Sequence, residues 1–75
     1  MIAAEPDLGR AIREEESRLL REFAEPLGAD LVRDEFGAAL DGLMPARVRR
    51  YVPLLAYRIA RDRLRGRRDR VEAAA

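Results

Sequence analysis

Apolar residues recur at spacings of three, four or seven in three stretches of this chain, and each stretch predicts one helix. The helices are predicted at about residues 7–24, 29–42 and 45–68. Residues 1–6 and 70–75 are predicted as frayed ends, since chain termini are often poorly ordered. The pattern therefore predicts a single all-α domain, a small three-helix bundle.

Capping and turn residues set the predicted boundaries. Asp7 is the predicted N-cap of the first helix, and Pro26 ends that helix near residue 24, because a residue before proline avoids helical geometry. Gly28 and Asp30 provide a turn and a cap for the second helix, which Gly42 is placed to end.

The first two helices each present one apolar face. These faces comprise Leu8, Ile12, Leu19, Leu20 and Phe23 in the first helix, and Leu31, Val32, Phe36, Ala39, Leu40 and Leu43 in the second. The glutamates at 14–16 lie away from this face. They predict a solvated helix surface rather than a metal cluster, with Glu14 paired to Arg18 four residues later.

The third predicted helix carries two prolines and the broadest apolar face. Pro45 fits its first turn, whereas Pro53 lies inside it, where proline removes one backbone hydrogen bond. We therefore expect a kink or break near Pro53, or a short lead-in helix at 45–51. The stripe runs through Val48, Val52, Leu55 and Ile59, with Tyr51, Leu54 and Leu64 beside it. Its breadth exceeds what two short neighbouring helices require, which favours contact with a partner.

Composition makes self-association the expected source of extra stability. A chain this short buries only about 60% of its unfolded surface. Small domains usually gain stability from disulfides, a metal ion or oligomerisation. This chain has no Cys and no His, which excludes disulfides and zinc sites of the usual kind. We therefore expect homodimerisation to complete the bundle.

Reactive side chains are few. Ser17 is the only serine, and it lies among glutamates and arginines without a suitable neighbouring base. Carboxylates that act as general acids or bases need a desolvated pocket, which three short helices can hardly enclose. We therefore expect no enzyme activity, no cofactor and no metal site.

The charges are unevenly distributed along the chain. Residues 1–41 carry five Arg and eleven acidic residues, whereas residues 42–75 carry ten Arg and three acidic residues, so the halves have formal charges of −6 and +7. Such asymmetry is typical either of a nucleic-acid patch or of pairing between opposite surfaces. The candidate phosphate contacts are Arg61, Arg65, Arg67 and Arg68. Arginines near a helix C-terminus also interact favourably with the helix dipole, which is a structural reason for this cluster.

The lengths of the apolar runs and the N-terminal sequence indicate where in the cell the protein is expected. No uninterrupted apolar run approaches the length of about 18 residues expected of a membrane span. The first ten residues, MIAAEPDLGR, lack a basic region followed by an apolar core. We therefore expect no membrane contact, no secretory signal and a cytoplasmic location.

Two segments resemble a known family. LVRDEF at 31–36 and ARVRRYVPLLAYRIARDRL at 46–64 are similar to the actinobacterial three-helix-bundle dimerisation domain. A similar module precedes low-molecular-weight tyrosine-phosphatase-like or arsenate-reductase-like domains. The matching positions are Leu31, Val32, Arg33, Glu35, Phe36, Arg47, Val48, Tyr51, Val52, Pro53, Leu55 and Arg61. The resemblance implies the fold of the module and a role in association. It does not imply the phosphatase activity, because this chain has no Cys for the nucleophile loop.

The favoured hypothesis is a non-catalytic protein-interaction module that forms a homodimer. Its predicted interface residues are Phe36, Leu40, Val48, Tyr51, Val52, Leu55 and Ile59. One alternative is nucleic-acid binding by the Arg-rich third helix, which the near-zero net charge and the absence of Lys disfavour. Another is a regulatory adaptor that binds a separate protein partner.

Overall fold

The computed structural model describes residues 8–45 and 47–74, and these form three α-helices. Helix α1 spans Leu8–Leu27, α2 spans Ala29–Leu43 and α3 spans Val52–Ala74. Each helix contacts both of the others. The predicted all-α three-helix fold is confirmed. Asp7 and the predicted frayed residues 1–6 lie outside the described residues.

The core forms where the large apolar residues of α1 and α2 meet a face of α3 that is rich in small residues. Leu19 and Phe23 of α1 and Val32 and Phe36 of α2 are almost completely buried, as the spacing predicts. The α3 members of the core are Val52, Ala56, Tyr57, Ala60 and Leu64. The two alanines allow the neighbouring helices to approach α3 closely, since a methyl group occupies little volume between helix axes.

Gly28 alone joins α1 to α2. Its φ of 89° lies in the left-handed region, which glycine adopts without steric cost. The Gly28 N–H donates to the Ala24 carbonyl at 2.7 Å, and the Gly28 carbonyl accepts from the Val32 N–H at 3.3 Å. The same residue therefore ends one helix and starts the next, which reverses the chain direction within a single position.

Pro26 does not end α1, contrary to the predicted stop near residue 24. It lies in the last turn of the helix, which continues to Leu27. A proline at this position removes only one backbone bond, and the bond from Gly28 to Ala24 closes the turn around it. The prediction treated proline as a stop signal, but the actual end is set by the backbone conformation of Gly28.

Two predictions for α2 are also corrected. Asp30 is not the cap, because Gly28 occupies the N-cap position and Asp30 lies in the first turn. Gly42 lies inside the last turn, and the helix continues to Leu43, with the Met44 N–H donating to the Leu40 carbonyl at 3.0 Å.

The third helix begins seven residues later than predicted, at Val52 instead of Pro45. Residues 45 and 47–51 form turns, a bend and irregular backbone rather than a lead-in helix. The break predicted near Pro53 is therefore the start of the helix itself. Pro53 is the second helical residue, where its missing N–H leaves no intrahelical bond unmade, so no kink is needed.

The C-terminal end of α3 is longer than predicted. The helix includes residues 70–74, which were expected to fray. Alanine and glutamate have high intrinsic helix propensity, and residues 72–74 are Glu, Ala and Ala. The side chains of this last turn are exposed, so local propensity rather than core packing accounts for the extension.

Gly37 provides a first test of the bundle. No side chain or backbone from elsewhere lies within 4 Å of the position that a Cβ would take there. We therefore expect Gly37→Ala to raise the free energy of unfolding by up to about 1 kcal/mol, because alanine is the better helix former. Urea unfolding followed by circular dichroism measures the change. Gly28→Ala is the matched control and should destabilise the fold, since alanine is strained at positive φ. A Gly37→Ala variant that unfolds at lower urea than wild type would contradict the expectation.

Candidate interaction surface

Four large apolar side chains lie exposed at the start of α3. We call Val48, Tyr51, Leu54 and Leu55 the apolar patch; their exposed fractions are 60%, 54%, 40% and 42%. In the described part of the chain, the other large apolar residue with comparable exposure is Val71, near the opposite end of α3. Contiguous exposed apolar side chains on a small protein mark an interaction site more often than isolated ones do.

The backbone around Pro53 positions this patch. The Val52 N–H donates to the Arg49 carbonyl at 3.0 Å, and the Leu55 N–H donates to the Tyr51 carbonyl at 2.9 Å. These bonds begin the first turn of α3 immediately after the irregular segment. The second bond places Tyr51 directly before the first helical residue of α3. Leu55 and the part-buried Ile59 are four residues apart and share one face of that helix.

The predicted interface residues divide into two groups in the structure. Phe36 and Val52 are only 1% exposed, so their side chains belong to the core of the monomer and are not available to a partner. Leu40 and Ile59 are half-buried and pack against that core. The exposed members are Val48, Tyr51 and Leu55. Leu54 also belongs to the patch, although the predicted interface did not include it.

The two tyrosines have different surroundings. The Tyr57 ring is buried, its hydroxyl donates to Glu22 Oε2 at 3.5 Å, and the Arg18 guanidinium carbon lies 4.3 Å from the ring centroid. Tyr51 instead lies largely exposed, with the Arg50 guanidinium carbon 6.0 Å from its ring centroid. Tyrosine is enriched at interfaces because its ring is apolar and its hydroxyl polar. Only Tyr51 is therefore placed to contribute to an interface.

Arginines surround the apolar patch without carboxylates between them. No acidic residue occurs between Asp41 and Asp62. Arg47, Arg49 and Arg50 are exposed in the segment that precedes α3, and we call these three the basic segment. Within residues 8–45 and 47–74, no carboxylate forms an ion pair with any of them. Their charges are therefore available to a partner.

Three of the four candidate phosphate-binding arginines contact side chains of another helix. Arg61 Nε donates to Glu22 Oε1 at 3.3 Å, and Arg67 Nε donates to Glu35 Oε2 at 2.9 Å. The Arg68 guanidinium carbon lies 5.1 Å from the centroid of the Phe23 ring. Arg65 is exposed. Arg61, Arg67 and Arg68 therefore contact groups of α1 or α2 within the monomer.

Two of the glutamates in the predicted solvated stretch at 14–16 form ion pairs along the surface of α1. Glu14 pairs with Arg10 at 3.2 Å and Glu15 with Arg18 at 3.0 Å, so the predicted pair of Glu14 with Arg18 is wrong. Both observed pairs have the three- or four-residue spacing that helix geometry allows. The described residues contain no group of three or more acidic side chains arranged to hold a metal ion.

Ser17 lies on the solvent-exposed side of α1, in a shallow and open depression. The depression is lined by Arg10, Arg13, Glu14, Ser17, Arg18 and Arg21, which all belong to this one helix. A surface hollow between side chains of a single helix does not exclude water, and efficient nucleophilic or acid–base chemistry needs an enclosed, positioned site. The geometry of the described residues therefore gives Ser17 no catalytic partner.

None of the three helices within the described residues combines the length and apolar character needed to cross a bilayer.

Comparisons with known proteins leave the family open. No protein-family model, no curated protein and no solved structure matches this chain.

Proposed function

We propose that this chain is a non-catalytic protein-interaction module that associates with a second copy through the apolar patch. The observation that carries the proposal is the exposure of Val48, Tyr51, Leu54 and Leu55 together at one end of the bundle. Covering these side chains with a partner would contribute about 25 cal/mol of favourable free energy for each Å² of apolar surface removed from water.

The size of the domain supports a second copy as the partner. A stable interface typically covers about 800 Å² on each partner. That area is about one seventh of the 5568 Å² of accessible surface on this chain. Burying this area in a dimer would stabilise the fold, because the hydrophobic core of so short a chain provides little stability by itself. The resemblance of 31–36 and 46–64 to a dimerisation module points to the same function.

Leu55→Arg tests the proposal directly. Leu55 is exposed in the monomer, so we expect the variant to fold, but arginine would replace the apolar contact area of leucine with a charged group that loses its hydration on association. We expect dimer affinity to fall about 30-fold or more, as at an interface hot spot. Light scattering coupled to size exclusion should give twice the 8.5 kDa chain mass for wild type and the single mass for the variant.

Val71→Arg is the matched control for this experiment. Val71 is similarly exposed on the same helix, but sixteen residues later, or about 24 Å along the axis. We expect the Val71→Arg variant to have the same mass in solution and the same melting temperature as wild type. A wild-type protein that remains monomeric at micromolar concentrations would refute the proposal, and a dimer unaffected by Leu55→Arg would refute this interface.

A further inference from the structure

The outer face of α2 carries acidic residues at helical spacing. Asp30, Asp34, Ala38 and Asp41 are all exposed and recur at intervals of three or four, so they lie on one side of the helix. We call Asp34, Ala38 and Asp41 the acidic stripe. Asp30 lies 3.8 Å from Arg33. Within the described ranges, no arginine forms an ion pair with Asp34 or Asp41.

The acidic stripe and the basic segment are neighbours in the chain and opposite in charge. Asp41 lies in the last turns of α2, and the basic segment at 47–50 follows within ten residues. Each copy therefore presents both an acidic and a basic surface. A surface that contains both signs can be self-complementary, because in a two-fold dimer each contact occurs twice with the roles exchanged.

Charge also argues against direct docking of one patch onto the same patch of a second copy. That arrangement would bring two basic segments together, and like charges that face each other across an interface disfavour association. Docking the patch and basic segment onto the partner's α2 removes this repulsion. The outer face of α2 is sterically suited to such a contact, because Ala38 is small and a Cβ at Gly42 would meet nothing within 4 Å.

We propose that the basic segment of one copy docks onto the acidic stripe of the second copy, and the reverse, in a closed two-fold dimer. This inference rests on the proposed self-association and adds its counter-surface and symmetry. The apolar patch supplies most of the affinity. The exposed charges set the register and accelerate encounter, since exposed ion pairs contribute little to affinity individually.

Two charge-reversed variants and their mixture test the inference. The first is Asp34→Arg with Asp41→Arg, and the second is Arg47→Glu with Arg49→Glu. All four side chains are exposed, so both variants should keep the wild-type circular dichroism spectrum and cooperative melting. Each variant alone places like charges across both contacts, and we expect its self-affinity to fall about tenfold or more.

The equimolar mixture should recover association. In a mixed pair, the new arginines on α2 face the new glutamates of the partner, while the native stripe faces the native basic segment. Both contacts are then complementary. Native mass spectrometry should show a one-to-one heterodimer. Size exclusion with light scattering should give a mass close to twice that of one chain, and the wild-type dimer should weaken as salt is raised.

Each result distinguishes this inference from the proposed function. A wild-type dimer whose affinity survives both charge reversals would overturn the charge pairing and leave self-association standing. Mixtures that form assemblies larger than dimers would overturn the closed symmetry. A monomeric wild type would overturn both proposals, and if that monomer sediments with vesicles containing anionic lipid, its basic apolar surface faces lipid headgroups.

Discussion

Val52→Asp is expected to lower the urea midpoint of unfolding of this protein well below that of wild type. Val52 is the first residue of α3 and only 1% exposed, so a carboxylate there would be shielded from water. Burying an unpaired charge costs about 3 kcal/mol or more. At roughly 0.05–0.15 kcal/mol per residue, the whole domain has a stability of about 4–11 kcal/mol. The substitution therefore removes a large fraction of the total.

Leu54→Asp is the matched control, two residues later in the same first turn. Both new carboxylates would gain about 0.3–1 kcal/mol from the positive end of the helix dipole. They differ in burial, because Leu54 is 40% exposed. Urea unfolding by circular dichroism at one low protein concentration compares them. We expect Leu54→Asp to unfold close to wild type, and equal midpoints for the two variants would show that Val52 is not a core residue.

The faces of α1 and α2 could be predicted because bulky apolar residues mark them. Leu19 and Phe23 are four residues apart, as are Val32 and Phe36, and all four are buried. Spacing alone was sufficient, since each helix has one stripe of large residues and polar side chains elsewhere. The same pattern correctly predicts three helices and the all-α fold.

The face of α3 could not be predicted in the same way. The expected stripe through Val48, Val52, Leu55 and Ile59 followed the larger apolar residues, whereas Ala56 and Ala60 are fully buried and Leu55 is exposed. Small residues carry little weight in a hydrophobic pattern, yet they are favoured where helices approach closely. Ala56, Ala60 and Leu64 recur every four residues and mark the buried face of α3, and Leu54 and Leu55 lie outside it.

The start of α3 was ambiguous for a physical reason. Pro45 and Pro53 both suit the first turn of a helix, because neither residue needs its N–H there. A start at Pro45 would have placed Pro53 inside the helix, which removes a backbone bond and introduces a clash. The observed start at Val52 avoids that cost. It also leaves Tyr51 and the basic segment outside the helix, and this arrangement creates the candidate surface.

The arginines show the limit of local sequence patterns. Arg61 bonds to Glu22 and Arg67 to Glu35, and these partners are 39 and 32 residues apart in the chain. Helical spacing predicts pairs three or four residues apart but not pairs between helices. The sequence could therefore show that the second half is basic, but not which arginines the fold uses.

Phe23→Ala is expected to destabilise the bundle by about 3–5 kcal/mol, as is typical of truncating a buried phenylalanine. Phe23 is completely buried in the core formed by all three helices. The substitution would leave a cavity that fixed helices fill only partly. It would also remove the ring that faces Arg68, a contact of about 0.5–1 kcal/mol at an exposed site.

Two further variants separate these contributions. Phe23→Leu retains most of the apolar volume, so we expect it to lose less stability than Phe23→Ala. Arg68→Ala keeps the ring and removes the guanidinium, and it should change the free energy of unfolding by no more than about 1 kcal/mol. Urea titrations of all three variants measure the differences. If Arg68→Ala were as destabilising as Phe23→Ala, the arginine contact rather than core packing would hold α1 to α3, and the small bundle would depend on its surface charges for stability.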